Sequence, residues 1–256
     1  VDMYAKCGAL DEALGVFRAV PAQNTDVLIW NAMIGGQAMH GLSRQSLELF
    51  REMQALGVKP DEITYLALLS ACAHEGLVDD AWSFFRSLCA HGMTPQIEHY
   101  ACMVDVLGRS GCIGEAFDLV ETMPMEPSAS VLGALLSGCQ THGWVELGEA
   151  VGKKLIELEP EHDGRYIGLS NVYAVSSRWD EARNMRRVMD KRGVKKEPGF
   201  STVEVDGAVH GFIVHDRAHP QSTEIYNLLG IMAKQMKAEC DCHHHDYPDV
   251  VSLNQD

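Results

Sequence analysis

The chain holds 256 residues, with 21 Lys and Arg against 36 Asp and Glu for a net charge of −15, and 46% of its residues are apolar. That balance excludes a wholly disordered or collagen-like polymer and argues against a protein that grips nucleic acid by bulk electrostatics. No run approaches the roughly 18 apolar residues a membrane span needs, and a chain opening on Val1 with no charged-then-apolar leader reads as beginning partway through a structural unit.

Internal repetition is the strongest signal. The turn dipeptides Cys7-Gly8, His40-Gly41, Glu75-Gly76, Ser110-Gly111, His142-Gly143 and Ser177-Arg178 follow apolar segments, and their second members are 33, 35, 35, 32 and 35 residues apart. Pro60, Pro95, Pro127 and Pro160 keep a similar beat, with steps of 35, 32 and 33. Residues 1–26 supply the back half of a truncated unit. The next unit, 27–61, shows the pattern in full. Its first helix covers 27–39, with Leu28, Met33 and Ile34 at near-helical spacing, and Gly41 ends it cheaply in a left-handed turn. A second helix covers 43–56, with Ser43 as its expected N-cap and Leu47, Phe50, Met53 and Leu56 on one face. Gly57 and Pro60 close the unit. The same pattern predicts units over 62–97, 98–128, 129–162 and 163–197.

A helical hairpin of this length cannot bury both apolar faces alone, so its neighbours must stack. The expected fold is all-α, a right-handed α-solenoid of helix-turn-helix repeats. After Pro198-Gly199 the texture changes to an extension over 198–239. There, residues 200–215 alternate around Asp206-Gly207, a strong hairpin signal, and 221–238 read as a helix. A polar, acidic tail over 240–256 is expected to fray.

The charge is unevenly spread: net −2 over 1–61, −8 over 62–129, −4 over 130–163, +3 over 164–220 and −4 beyond. The basic stretch holds Arg183, Arg186, Arg187, Lys191, Arg192, Lys195 and Lys196, either a solvated helix face or a phosphate or partner contact. Six of the eight cysteines (Cys7, Cys72, Cys89, Cys102, Cys112, Cys139) fall in periodic segments without paired spacing, and read as small buried hydrophobes. Trp30, Trp82, Trp144 and Trp179 recur in the repeats as packing residues.

The unit ending Gly57-Val58-Lys59-Pro60-Asp61, with Trp30-Asn31-Ala32-Met33-Ile34 on its first helix, resembles a pentatricopeptide repeat. Its variable lengths are similar to the plant PLS subclass. His99-Tyr100-Ala101-Cys102-Met103-Val104-Asp105 resembles the last S-type unit, and Gly133-Ala134-Leu135-Leu136 through His142-Gly143-Trp144-Val145-Glu146-Leu147-Gly148 resembles the E1 motif. Tyr166, Leu169-Ser170-Asn171-Val172-Tyr173-Ala174 and Arg192-Gly193-Val194-Lys195-Lys196-Glu197-Pro198-Gly199 resemble the E2 motif and its Pro-Gly box, and Asp216-Arg217 with His219-Pro220 match the E+ segment. The resemblance implies site recognition for C-to-U RNA editing in mitochondria, or alternatively chloroplasts, with single-stranded organellar RNA as the ligand and no membrane partner.

In this family two positions per unit carry base choice, the fifth residue of the first helix and the last residue of the unit. Carried over, these are Asn31 and Asp61, resembling the uridine-preferring combination, and Asp26 is the last residue of the truncated unit. An Asn amide offers a donor and an acceptor to a base edge, and a neighbouring carboxylate can orient it. The alternative is that Asn31 merely faces solvent. Leu28, at the second position, is either an apolar side chain against a base or ordinary helix packing. Leu66 and Cys102 take the fifth position in the next two units, and neither offers a convincing base contact.

Proteins of this subclass often end in a DYW cytidine deaminase domain, which needs a His-x-Glu and a CxxC for its zinc. None of the 12 histidines here has Glu two residues on, and no CxxC occurs. These residues therefore imply no enzyme and no cofactor, and the resemblance implies a DYW-type deaminase and other editing factors recruited in trans through E1, E2 and E+. Cys240, Cys242 and His243, with His244 and His245, form a weak metal-binding candidate, read as opportunistic affinity in a tail. The competing reading is a tetratricopeptide-like protein-binding scaffold that reads no RNA.

Overall fold

A computed structural model describes residues 1–21, 26–196, 198–213 and 216–243, the last six as backbone only. Two compact units divide the chain, Val1–Lys195 and Lys196–Asp256. The first is a right-handed stack of helical hairpins. Its pairs are α1 (Asp2–Lys6) with α2 (Leu10–Ala19), α3 (Val27–Met39) with α4 (Ser43–Ala55), and α5 (Glu62–Glu75) with α6 (Val78–Ala90). There follow α7 (Ile97–Arg109) with α8 (Ile113–Thr122), α9 (Ala129–His142) with α10 (Val145–Leu158), and α11 (Asp163–Val175) with α12 (Trp179–Lys191). None of the described helices is long and apolar enough to cross a membrane.

Each first helix packs on the first helices before and after it and on the second helix of the preceding pair. That placement explains its composition. α3 and α5 are apolar nearly all round, whereas α4, α6 and α12 carry one apolar stripe because their outer face meets water. In α3, α5, α7, α9 and α11 the residue four beyond the N-cap is a large buried side chain: Trp30, Tyr65, Tyr100, Leu132 and Tyr166. Edge-on aromatic pairs then tie neighbouring helices, Phe17 to Trp30 at 4.8 Å and Phe85 to Tyr100 at 5.3 Å between centroids. α7 and α9 pack tightly at Gly138, where an added Cβ would lie 2.8 Å from Gly108 Cα.

Polar groups lock successive pairs. His40 Nε2 lies 2.7 Å from the Ala5 carbonyl, His142 Nε2 lies 3.2 Å from that of Arg109, and Arg178 Nη1 donates to Glu149 Oε2 at 2.9 Å. The Arg18–Glu52 ion pair joins α2 to α4.

Several expectations are corrected. Ser43 does not cap α4: Leu42 precedes the helix, and Ser43 is fully buried, its hydroxyl donating 2.9 Å to the Ala71 carbonyl of α5. Leu56 ends α4 half-exposed, off the buried face that Leu47, Phe50 and Met53 form. The sixth left-handed turn falls on Ser177 (φ 60°), one residue before Arg178, so the step from Gly143 is one shorter than the dipeptide alignment implied. α7 opens at Ile97 rather than at residue 98, because Gln96 caps it. Trp30 is buried as expected, but Trp144 and Trp179 stand about half-exposed at the starts of α10 and α12. Of the six scattered cysteines Cys72 and Cys139 are buried, while Cys7 and Cys89 are exposed.

In the second unit β1 (Phe200–Val205) pairs antiparallel with β2 (Ala208–Ile213). Asp206 (φ 52°) and Gly207 (φ 76°) make the two-residue turn, its doubly left-handed backbone matching strand twist. α13 (Ser222–His243) extends five residues beyond the helix expected over 221–238, so Cys240, Cys242 and His243 lie on helical backbone rather than in a frayed tail. Their side chains, and His244 and His245, lie outside the described residues. Among the described residues no three His, Cys, Asp or Glu side chains gather to hold a metal.

Candidate nucleic-acid interface

Asp26 and Asp61 occupy the same structural place, the N-caps of α3 and α5. Asp26 accepts from Ile29 N at 3.1 Å, and Asp61 Oδ1 accepts from Thr64 N at 2.9 Å. A carboxylate there satisfies an orphan helix donor and complements the helix dipole. In α5 the arrangement is reciprocal, because the Asp61 N–H donates to Thr64 Oγ1 at 3.1 Å.

The second role of Asp61 lies across the repeat junction. Asn31 Nδ2 donates to Asp61 Oδ1 at 2.9 Å, and Asn31 Oδ1 accepts from the Thr64 hydroxyl at 2.6 Å. Asn31 is only 8% exposed, so the solvent-facing alternative is excluded. Its amide is held at both ends, which settles which atom is nitrogen: a carboxylate only accepts. One Nδ2 proton and one Oδ1 lone pair remain unused. Asn31 lines a groove of about 500 Å³ between α3 and α5, whose walls include Gly35, Ala38, Ile63, Leu66 and Ala67.

Leu28 is 63% exposed on the first turn of α3, which leaves it mostly unpacked. Ile63, 56% exposed, holds the equivalent place on α5. Sequence reasoning missed Ile63, although it stands two residues beyond Asp61 as Leu28 stands two beyond Asp26. It missed Thr64 too, whose signal is the Asp-x-x-Thr cap spacing.

Beyond this junction no amide stands at the place of Asn31. Counted from the N-caps, the places equivalent to Asn31 hold Leu66, Ala101 and Gly133, since the start of α7 at Ile97 puts Ala101, not Cys102, at the fifth position. Cys102 instead faces Ser70, Sγ to Oγ 3.4 Å, and burial pushes its thiol pKa up. In the basic stretch Arg183 pairs with Asp180, Arg186 donates to Ser170 Oγ at 3.1 Å and Arg192 to Tyr166 Oη at 2.8 Å, while Arg187, Lys191, Lys195 and Lys196 are exposed.

Family models agree with this geometry. The pentatricopeptide repeat model matches residues 1–21, 63–93 and 98–126, and the related PPR repeat family model matches 25–74. The chain belongs to the pentatricopeptide repeat family. Residues 142–204 match the E motif, so it is of the E-type subclass. It is 58% identical over 246 residues to the Arabidopsis thaliana pentatricopeptide repeat-containing protein At5g08305, covering 96% of this chain and 46% of that protein. The mitochondrial Arabidopsis thaliana protein At2g22410 is 44% identical (96% of this chain, 36% of that one), and the chloroplastic At1g08070 is 45% identical (90% and 31%). The chain therefore spans less than half the length of these relatives. Among solved structures, maize PPR10 superposes with a TM-score of 0.60 at 26% identity (76% of this chain, 29% of that one). PPR10 in complex with an 18-nt psaJ RNA element gives 0.65 at 20% identity, with the same coverage.

Proposed function

We propose that this pentatricopeptide repeat chain forms part of a single-stranded RNA-binding factor that specifies C-to-U editing sites, reads one nucleotide through Asn31, and recruits a deaminase through its E1, E2 and E+ region. The observation that carries the reading is the Asn31 amide held by Asp61 and Thr64, with one donor and one acceptor left over at an open groove. Uracil presents N3–H beside a carbonyl, the complement of that pair. Leu28 and Ile63, exposed on the first turns of α3 and α5, are the apolar side chains assigned to the faces of that base. Asp26 takes the role of Asp61 for the unit before. The RNA-bound PPR10 neighbour and the organellar relatives support single-stranded RNA in a mitochondrion, or alternatively a chloroplast, as the setting.

The protein-scaffold reading applies downstream on the same chain. Net charge is −12 over 62–163 and apolar or absent side chains replace Asn31 there, which disfavours phosphate and favours protein partners, among them the deaminase.

The test is a titration of the full natural protein against single-stranded RNAs varied one base at a time. Asn31→Ala should abolish uridine preference opposite one nucleotide, a loss of about 1–3 kcal/mol by analogy with other base-edge contacts. Equal loss for every sequence would sink the reading. In plants lacking the protein, particular cytidines in organellar transcripts should stay unedited, and unchanged editing at every site would refute the proposed role.

A further inference from the structure

We infer that Thr64, in the unit after the reader, is a positioning residue for base choice: its hydroxyl sets the orientation of the Asn31 amide and so the base that Asn31 accepts. This rests on the reading of Asn31 as the base contact.

Thr64 is fully buried, and its Oγ1 already accepts the Asp61 N–H at 3.1 Å. Its single proton is therefore committed outward. The nearer acceptor is Asn31 Oδ1 at 2.6 Å, ahead of Asp61 Oδ1 at 3.0 Å. With Asp61 alone, the amide is tethered through nitrogen and stays free to swing about its terminal torsion, which is broad for Asn. With Thr64 added, both ends are fixed in one plane. The reader of one repeat is thus completed by the first turn of the next, and the recognition element is a triad spanning two units.

The following junction supplies an internal comparison. His99 is the counterpart of Thr64, three residues beyond its cap. His99 Nδ1 accepts the Gln96 N–H at 3.1 Å, which puts the ring proton on Nε2, and Nε2 donates to the Glu62 carbonyl at 2.9 Å. This side chain anchors backbone and leaves nothing for the reading position, which there is Leu66. At the next two junctions the counterparts are Val131 and Arg165, neither bearing a hydroxyl. Hydroxyl and reading amide occur together once among these junctions.

The experiment uses the full natural protein and single-stranded RNAs carrying each of the four bases opposite the 27–61 unit, with thermal melts to confirm folding. Thr64→Val keeps the shape and removes the hydroxyl, and Thr64→Ala repeats the test with a side chain too small to clash. Both should shrink the ratio of uridine affinity to that of other bases by about 2- to 10-fold, the worth of one neutral hydrogen bond, and Thr64→Ser should restore it. A preference that survives both variants, or an equal affinity loss for all four bases, overturns the inference while leaving Asn31 as reader. A wild-type protein with no preference at that nucleotide overturns the reading of Asn31 itself.

Discussion

Asp61 shows how much one side chain can do in a repeat: a single carboxylate oxygen accepts from both a backbone N–H and the amide of the preceding unit. Asp61→Ala should therefore lower stability by about 1–2 kcal/mol through the lost cap and also weaken base choice, measured by denaturant unfolding alongside RNA titration. Asp26→Ala removes the cap of α3 and should cost stability while leaving the base choice of Asn31 unchanged. Thiol reactivity separates the cysteines. Burial pushes the Cys72 thiol up to about 12 and that of Cys139 to about 11, whereas Cys7 and Cys89 are exposed. A maleimide probe at pH 8, read by peptide mapping of the folded chain, should modify Cys7 and Cys89 and spare Cys72 and Cys139.

At the scale of elements, helix approach is set by what is missing from a side chain. Gly138→Ala places a methyl against the backbone of Gly108 and should destabilise by about 1–3 kcal/mol. Gly114→Ala, exposed in α8 with nothing within 4 Å, should be neutral or stabilise by up to about 1 kcal/mol. A comparison of thermal midpoints checks the contrast. Helices α10 and α12 are joined through Glu149, whose carboxyl is held below its ordinary value of 4.5 by hydrogen bonds from Lys153 and then Arg178. A depressed carboxylate contributes stability that is present above that ordinary value and lost as pH falls through the lowered one. Glu149→Gln should flatten this part of the acid-side decline in unfolding midpoint and leave the slope above pH 6 unchanged.

For the whole molecule, one reader is too little for address. A matched base edge is worth about 1–3 kcal/mol, against roughly 8 kcal/mol for micromolar binding, and the net charge of −15 offers no phosphate attraction in compensation. The 256-residue chain by itself should show no sequence-specific RNA binding at micromolar concentration and physiological salt; a tight specific complex in a gel-shift or anisotropy assay would contradict this.

The repeat period, the all-helical hairpins and the Asp206-Gly207 turn were legible without coordinates, and the family resemblance named Asn31 and Asp61 together. Turn glycines, cap residues and apolar spacing are local properties, and each repeats along the chain until chance is excluded. The exceptions were non-local. Ser43 looks like a cap until the neighbouring helix brings the Ala71 carbonyl to its hydroxyl, and Leu28 stands open between base contact and helix packing until the stack leaves it uncovered. Ile63 and Thr64 gain meaning only because α5 lies beside α3, 30 residues and more from the amide they surround. Sequence by itself determined which units exist, and the family resemblance pointed to the side chain in a unit that is proposed to carry recognition chemistry. Only the stacking of one unit on the next decided what holds that side chain, because a hydrogen bond across a junction depends on the distance between helices and not on spacing along the chain.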